Sequence, residues 1–155
     1  MHLGKMLEGA ERRWGSKTAV KLGDDTLSYT ELNSASNRLA HSLRALGIKR
    51  GDRVVILLNN SLQFVISYFG IVKLGAIAVP LDTKYRLKEL SCLFEDCRPK
   101  AIIMEEPFVE LLEGERGSFP YIKIVIEKEN AVKEGHFSIE ELVEKGLDEP
   151  LEDGA

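Results

Sequence analysis

At 155 residues the chain is long enough for one domain with a buried core, and 44% hydrophobic with 30% charged residues excludes an intrinsically disordered segment. The 21 basic and 25 acidic residues leave a net charge of -4, so no basic excess exists to grip a phosphate backbone, and nucleic-acid binding is set aside. Two cysteines, Cys92 and Cys97, exclude a disulfide scaffold and point to a reducing compartment, taken here as the cytoplasm. The opening residues Met1 to Met6 have no apolar core of signal-peptide type. The longest apolar stretch, Leu62 to Ala78, is interrupted by Gln63, Ser67 and Lys73, which excludes a transmembrane segment there.

Taken in chain order, Thr18–Leu22 and Thr26–Tyr29 flank Gly23-Asp24-Asp25 and read as a β-hairpin. Thr30 is the predicted cap of a helix whose apolar positions, Leu32, Ala35, Leu39, Leu43 and Leu46, recur every three or four residues. Gly47 supplies its left-handed stop. Arg53–Leu58 is a continuous apolar run with β-branched Val54, Val55 and Ile56, the pattern of a strand buried on both faces. Ser61 caps a helix from Leu62 to Leu74 that is apolar nearly all round. A helix with so little solvent face needs other protein to cover it, so a homo-oligomer of the isolated chain is expected. Ala76–Val79 is the next strand and Pro80 marks its end.

Beyond the polar loop Asp82–Arg86, Leu87, Leu90, Leu93, Phe94 and Cys97 mark another helix, broken at Arg98-Pro99. Lys100–Met104 is a strand, Pro107–Glu113 a short helix, and Tyr121–Ile126 a further strand. Ser138 and Glu141 fit a capping box opening the last helix. Helices and strands thus alternate after the hairpin, which predicts an α/β fold: a layered, mostly parallel sheet with crossover helices and an N-terminal β-hairpin. Residues 1–145 form the expected domain; residues 146–155 read as an acidic connecting tail without an apolar pattern.

Catalytic equipment is sparse, and no catalytic residue or metal ligand is assigned. No two glycines are spaced G-x-G, and Ala76-Ile77 follows Gly75 where a phosphate-binding loop requires Lys and Ser or Thr. His2, His41 and His136 are far apart; His41 lies off its helix's leucine stripe and reads as solvated. Cys92 and Cys97 sit about 140° apart on one helix and read as buried, inert thiols. Asp82–Arg86 differs from these, because it follows a strand end, where open α/β sheets bind ligands. Lys84 and Arg86 can meet a phosphate there; two solvated bases on a capping loop are the alternative.

Five stretches, in this order and spacing, carry a family resemblance. Leu27-Ser28-Tyr29-Thr30-Glu31-Leu32 runs on through Asn37-Arg38-Leu39-Ala40 to Leu46-Gly47-Ile48. It is followed by Gly51-Asp52-Arg53-Val54 through Asn59, by Lys73-Leu74-Gly75-Ala76 with Val79-Pro80-Leu81, by Leu87–Leu90, and by Lys100–Ile103. They resemble the N-terminal part of the adenylate-forming enzymes, the AMP-forming acyl-CoA synthetases with luciferases and peptide-synthetase adenylation domains, and the resemblance reaches over roughly residues 10–126.

The resemblance implies that the chain is part of a larger N-terminal domain, cut before the family's phosphate loop, with the remainder of the synthetase chain as its partner. It implies ATP, Mg and CoA as cofactors of the full-length enzyme, a carboxylic acid substrate, fatty or aryl, and an isolated segment without activity. It also makes Lys84, with its neighbours Tyr85 and Arg86, a candidate contact for CoA phosphate. Thr83 stands where the family commonly has proline. A peptide-synthetase adenylation domain and a stand-alone binding or scaffold module remain as alternatives.

Overall fold

The computed structural model describes residues 2–129 and 132–151. Helix α1 (Leu3–Trp14) opens the chain, followed by the antiparallel hairpin of β1 (Thr18–Leu22) and β2 (Asp25–Ser28). Then come α2 (Tyr29–Ala45), β3 (Arg53–Leu57), α3 (Leu62–Leu74), β4 (Ile77–Pro80), α4 (Leu87–Cys97) and β5 (Ala101–Met104). The last elements are α5 (Phe108–Gly114), a 3-10 turn (Arg116–Ser118), β6 (Ile124–Glu127), β7 (Phe137–Ser138) and α6 (Ile139–Lys145).

Five strands form one parallel sheet in the order β4-β3-β5-β6-β7. Alternation along β3 builds two cores. Val54 and Ile56 face α2, α3 and α6, through Leu39, Leu43, Ile71, Leu74 and Leu142. Val55 and Leu57 face α4 and α5, through Leu90, Phe94, Phe108 and Leu112. The expected layered, largely parallel arrangement with its hairpin is therefore present. The all-round apolarity of α3 has a local explanation: α1, α2, β3 and β4 pack on it, and none of its residues is exposed.

Several boundaries differ from expectation. Ser28, not Thr30, caps α2: its hydroxyl accepts from Glu31 N at 3.1 Å while Glu31 Oε1 accepts from Ser28 N at 2.9 Å. Glu31 completes the reciprocal pair only from the third helical position, which Thr30 as cap would deny it. Strand β6 begins at Ile124, because Ile122 N turns back to donate to Phe119 O. Helix α1 and the two-residue β7 were not expected.

Cys92 is exposed rather than buried, since α4 turns it away from the Leu90–Phe94 face; Cys97 is half-buried. His41 is not simply solvated: Nε2 lies 2.9 Å from Glu149 O and Nδ1 lies 2.9 Å from an Arg44 nitrogen. Residues 146–151 also do more than connect. Leu151 is buried in the α2–α3–α6 core, and Asp148 accepts from Ser34 Oγ at 2.8 Å. Residues 152–155 lie outside the described residues.

Where α1, α2 and α3 meet, Lys73 is buried. Its ammonium donates to Asn33 Oδ1 and Asn37 Oδ1, both at 2.6 Å, and to Asn33 O at 3.3 Å. Burial lowers its pKa from 10.5 to about 8, against the opposing pull of Glu8, Asp148 and Glu11. A base whose folded pKa lies below its unfolded value carries its full penalty at pH below the folded pKa. The penalty is relieved as pH rises from about 8 towards 10.5. Urea unfolding at pH 7.5 and at pH 10, wild type against Lys73→Met, should show the stability difference moving in favour of wild type at the higher pH. A pH-independent difference would contradict this.

Two helical turns before the end of α3, Ser67 is fully buried, and its hydroxyl has no hydrogen-bond partner among the described residues. An unsatisfied buried hydroxyl is a net cost, and alanine is the better helix former. Ser67→Ala is expected to raise stability by about 1 kcal/mol in chemical denaturation. A loss of that size would mean that the hydroxyl is satisfied in solution.

Candidate functional site

All the sheet strands are parallel, so their C-terminal ends share one edge. The chain leaves β3 towards β4 on one side, then crosses back to β5 on the other. The crevice above such a reversal is where open α/β sheets bind ligands. Here it is bounded by the loops after β3 and β5, with the loop after β4 on one flank and that after β6 on the other.

These loops are joined by a chain of polar contacts. Thr83 Oγ1, after β4, donates to Asn59 Oδ1, after β3, at 2.7 Å. Asn59 N donates to Glu105 Oε1, after β5, at 2.6 Å. Lys128 Nζ, after β6, lies 3.6 Å from Glu105 Oε2. Glu105 is almost fully buried, so its carboxylate is fixed by these two partners rather than by water. Beside Lys128 an open groove of about 450 Å³ separates α3 from α6, floored by Ile66, Ile139 and Val143.

The loop singled out in the sequence forms the β4 flank of this edge. Asp82 Oδ1 accepts from Lys84 N at 2.8 Å, and Tyr85 N donates to Asp82 O at 3.2 Å, so the loop is a tight Asx-type turn. Arg86 N donates to Glu89 Oε2 at 2.7 Å, which starts α4. Lys84, Tyr85 and Arg86 are all exposed, with Lys84 and Arg86 free to extend into solvent at the rim. Thr83 in place of proline is accommodated through its bond to Asn59.

A second polar cluster was not legible in the sequence. The His136 ring lies between Glu127 Oε2 and Glu113 Oε1, each 2.8 Å from a ring nitrogen. Glu127 also accepts from Lys133 N at 2.9 Å. The cluster fastens the loop after β6 to α5. Its carboxylates sit on opposite sides of the ring, and among the described residues no group of three His, Cys, Asp or Glu side chains is placed to hold a metal. Three of the residues whose pKa shifts are resolved lie off the edge crevice: Lys73 is under α1, while burial raises Cys97 and lifts Tyr121 to about 12 near the opposite end of the sheet. The fourth, Lys133 on the loop after β6, is raised by its hydrogen bond to Glu110.

Against known families, residues 7–153 match the model of the AMP-binding enzymes. The chain belongs to that family. Among AMP-binding relatives, the long-chain-fatty-acid–CoA ligase FadD13 of Mycobacterium tuberculosis is 38% identical over 93 residues, 60% of this chain and 18% of that protein. Tyrocidine synthase 2 of Brevibacillus parabrevis is 35% identical over 104 residues, 67% of this chain and 3% of that protein. In structure, the anthranilate CoA ligase AuaEII, solved with anthranoyl-AMP, superposes with a TM-score of 0.89 at 29% identity, over 94% of this chain and 28% of that one. The N-terminal domain of Mycobacterium tuberculosis FACL13 gives a TM-score of 0.86 at 26% identity, over 99% of this chain and 38% of that one. The chain thus spans less than a fifth of the two curated relatives named here.

Proposed function

We propose that the chain is the N-terminal part of an AMP-forming acyl-CoA synthetase acting in the cytoplasm on a fatty or aryl acid. In the first half-reaction the carboxylate attacks the α-phosphorus of ATP, giving acyl-adenylate and pyrophosphate. In the second, the CoA thiol adds to the acyl carbonyl with loss of its proton, the acyl–phosphate bond breaks, and AMP leaves. The observation that carries this reading is the match of residues 7–153 to the AMP-binding enzymes. The exposed Lys84 and Arg86 at the sheet edge suit the binding of an anionic substrate. Mg is implied for the whole enzyme, but the described residues do not fit a metal site, and no step is assigned to one.

The likeness to tyrocidine synthase 2 favours a second reading, in which the acceptor thiol belongs to a carrier protein. The full-length protein, supplied with ATP, CoA and a panel of fatty and aryl acids, should form AMP and an acyl-CoA thioester. A thioester formed only on a carrier protein would support the second reading, and absence of both products would refute the assignment. The 155-residue chain alone should give no acid-dependent ATP–pyrophosphate exchange, because its sequence has no phosphate-loop motif. Exchange above the buffer blank would contradict that.

A further inference from the structure

The loop that carries Lys84 is tied to the rest of the sheet edge at a single point. Strand β4 is an outer strand of the parallel sheet, so the loop after it has a strand neighbour on one side only. The last bond to the sheet runs from Leu81 N to Ile56 O, at 2.9 Å. From Asp82 onward the loop closes on itself or on α4: Lys84 N donates to Asp82 Oδ1, Tyr85 N to Asp82 O and Arg86 N to Glu89 Oε2. Among the described residues, one hydrogen bond leaves Asp82–Arg86 for the loop of another strand, from Thr83 Oγ1 to Asn59 Oδ1 at 2.7 Å.

The far end of that bond is fixed. Asn59 follows β3, which lies between β4 and β5, and its N–H donates to the nearly buried Glu105 carboxylate at 2.6 Å. Asn59 thus takes its place from two central strands and passes it to the outer loop through its side chain. Lys84 directly follows Thr83, and its own N–H is tied into the turn, so its backbone goes where Thr83 goes. Without the Thr83 hydroxyl the turn keeps its internal bonds but swings as a unit at the edge of the sheet. An exposed hydrogen bond of this kind adds little to folding, because water replaces it. Its loss falls instead on a ligand, which must order the loop as it binds.

We propose that Thr83 is a positioning residue for the CoA half-reaction: its hydroxyl, held by Asn59, sets Lys84 at the rim of the crevice. This role rests on the reading of Lys84 as a contact for CoA phosphate, and adds how that lysine is aimed. A lysine is a point charge on a flexible stem, so its reach is set by where the backbone starts it. Proline, common at this position in the family, restricts the turn through its ring. Threonine does so here through a bond to a neighbouring loop.

In the full-length enzyme, Thr83→Val removes the hydroxyl and keeps the branched shape. The KM for CoA should rise by about 2- to 10-fold, the range of one hydrogen bond. Acid-dependent ATP–pyrophosphate exchange and the unfolding temperature should stay at wild-type values, which a merely structural role would not give. Thr83→Ser should bring the KM back. Added to Lys84→Ala, Thr83→Val should raise the KM little further, because the hydroxyl acts through the lysine.

A raised KM in Lys84→Ala with an unchanged KM in Thr83→Val overturns the positioning role alone. So does Thr83→Ser behaving as Thr83→Val, or a full additional effect of Thr83→Val on top of Lys84→Ala. An exchange reaction lost in Thr83→Val overturns it as well, since the loop then serves the ATP or acid site. An unchanged KM in Lys84→Ala overturns the reading of Lys84 itself, and the role of Thr83 falls with it.

Discussion

Gly146→Ala should lower the unfolding free energy by about 2–4 kcal/mol, read by urea denaturation. A Cβ at this position would fall on the Arg38 carbonyl group, in the middle of α2. The carbonyl belongs to a helical backbone and cannot move aside, so the segment after α6 must lift. Lifting it strips the bond from Arg38 Nη1 to Gly146 O, the Ser34–Asp148 bond and the seat of Leu151 in the core. Gly114→Ala is the control: its Cβ would meet nothing within 4 Å, and stability there should hold or rise slightly. Equal stability of the two variants would mean that residues 146–151 do not hold this docking in solution.

The second large effect is expected at Glu105. Glu105→Ala leaves Asn59 N without its acceptor and Lys128 without its counter-charge, in a place sheltered from water. A loss of about 2–3 kcal/mol is expected, because an orphaned buried donor costs more than the bond contributed. Glu105→Gln keeps an acceptor for Asn59 and should cost no more than about 1 kcal/mol. If both variants unfold at the wild-type denaturant concentration, the contacts across the sheet edge carry no weight.

How much of this was legible beforehand depends on whether the signal was local. Arg53–Leu58 read as a strand buried on both faces and Lys100–Met104 as a strand, because a parallel sheet between helix layers leaves no polar alternation. The 3-4 spacing from Leu32 to Leu46 gave α2, because a helix packed on one side leaves a periodic apolar stripe. Helix α1 was missed because its cap is the His2 imidazole, which accepts from Gly4 N, and Gly4 and Gly9 dilute its pattern. Strand β7 has two residues and no periodicity to read.

The site divides in the same way. Asp82–Arg86 stood out because strand, Pro80 and polar loop are contiguous. Asn59 and Glu105 are 46 residues apart and meet only once β3 and β5 pair. His136, Glu127 and Glu113 likewise come together through the third dimension alone. A polar residue directly after a β-branched run was the available signal for Asn59 and Glu105, and it reads equally well as an ordinary turn.

The most direct test is of the sheet edge as the place where the acceptor thiol's carrier is held. In the full-length enzyme, Lys84→Ala should raise the KM for CoA by roughly 5- to 30-fold, the equivalent of about 1–2 kcal/mol for one exposed charge-assisted contact. Acid-dependent ATP–pyrophosphate exchange should stay close to wild type, and the CoA effect should shrink as salt is added. A loss confined to the exchange reaction, or no change in either half-reaction at low and high salt, would contradict the account.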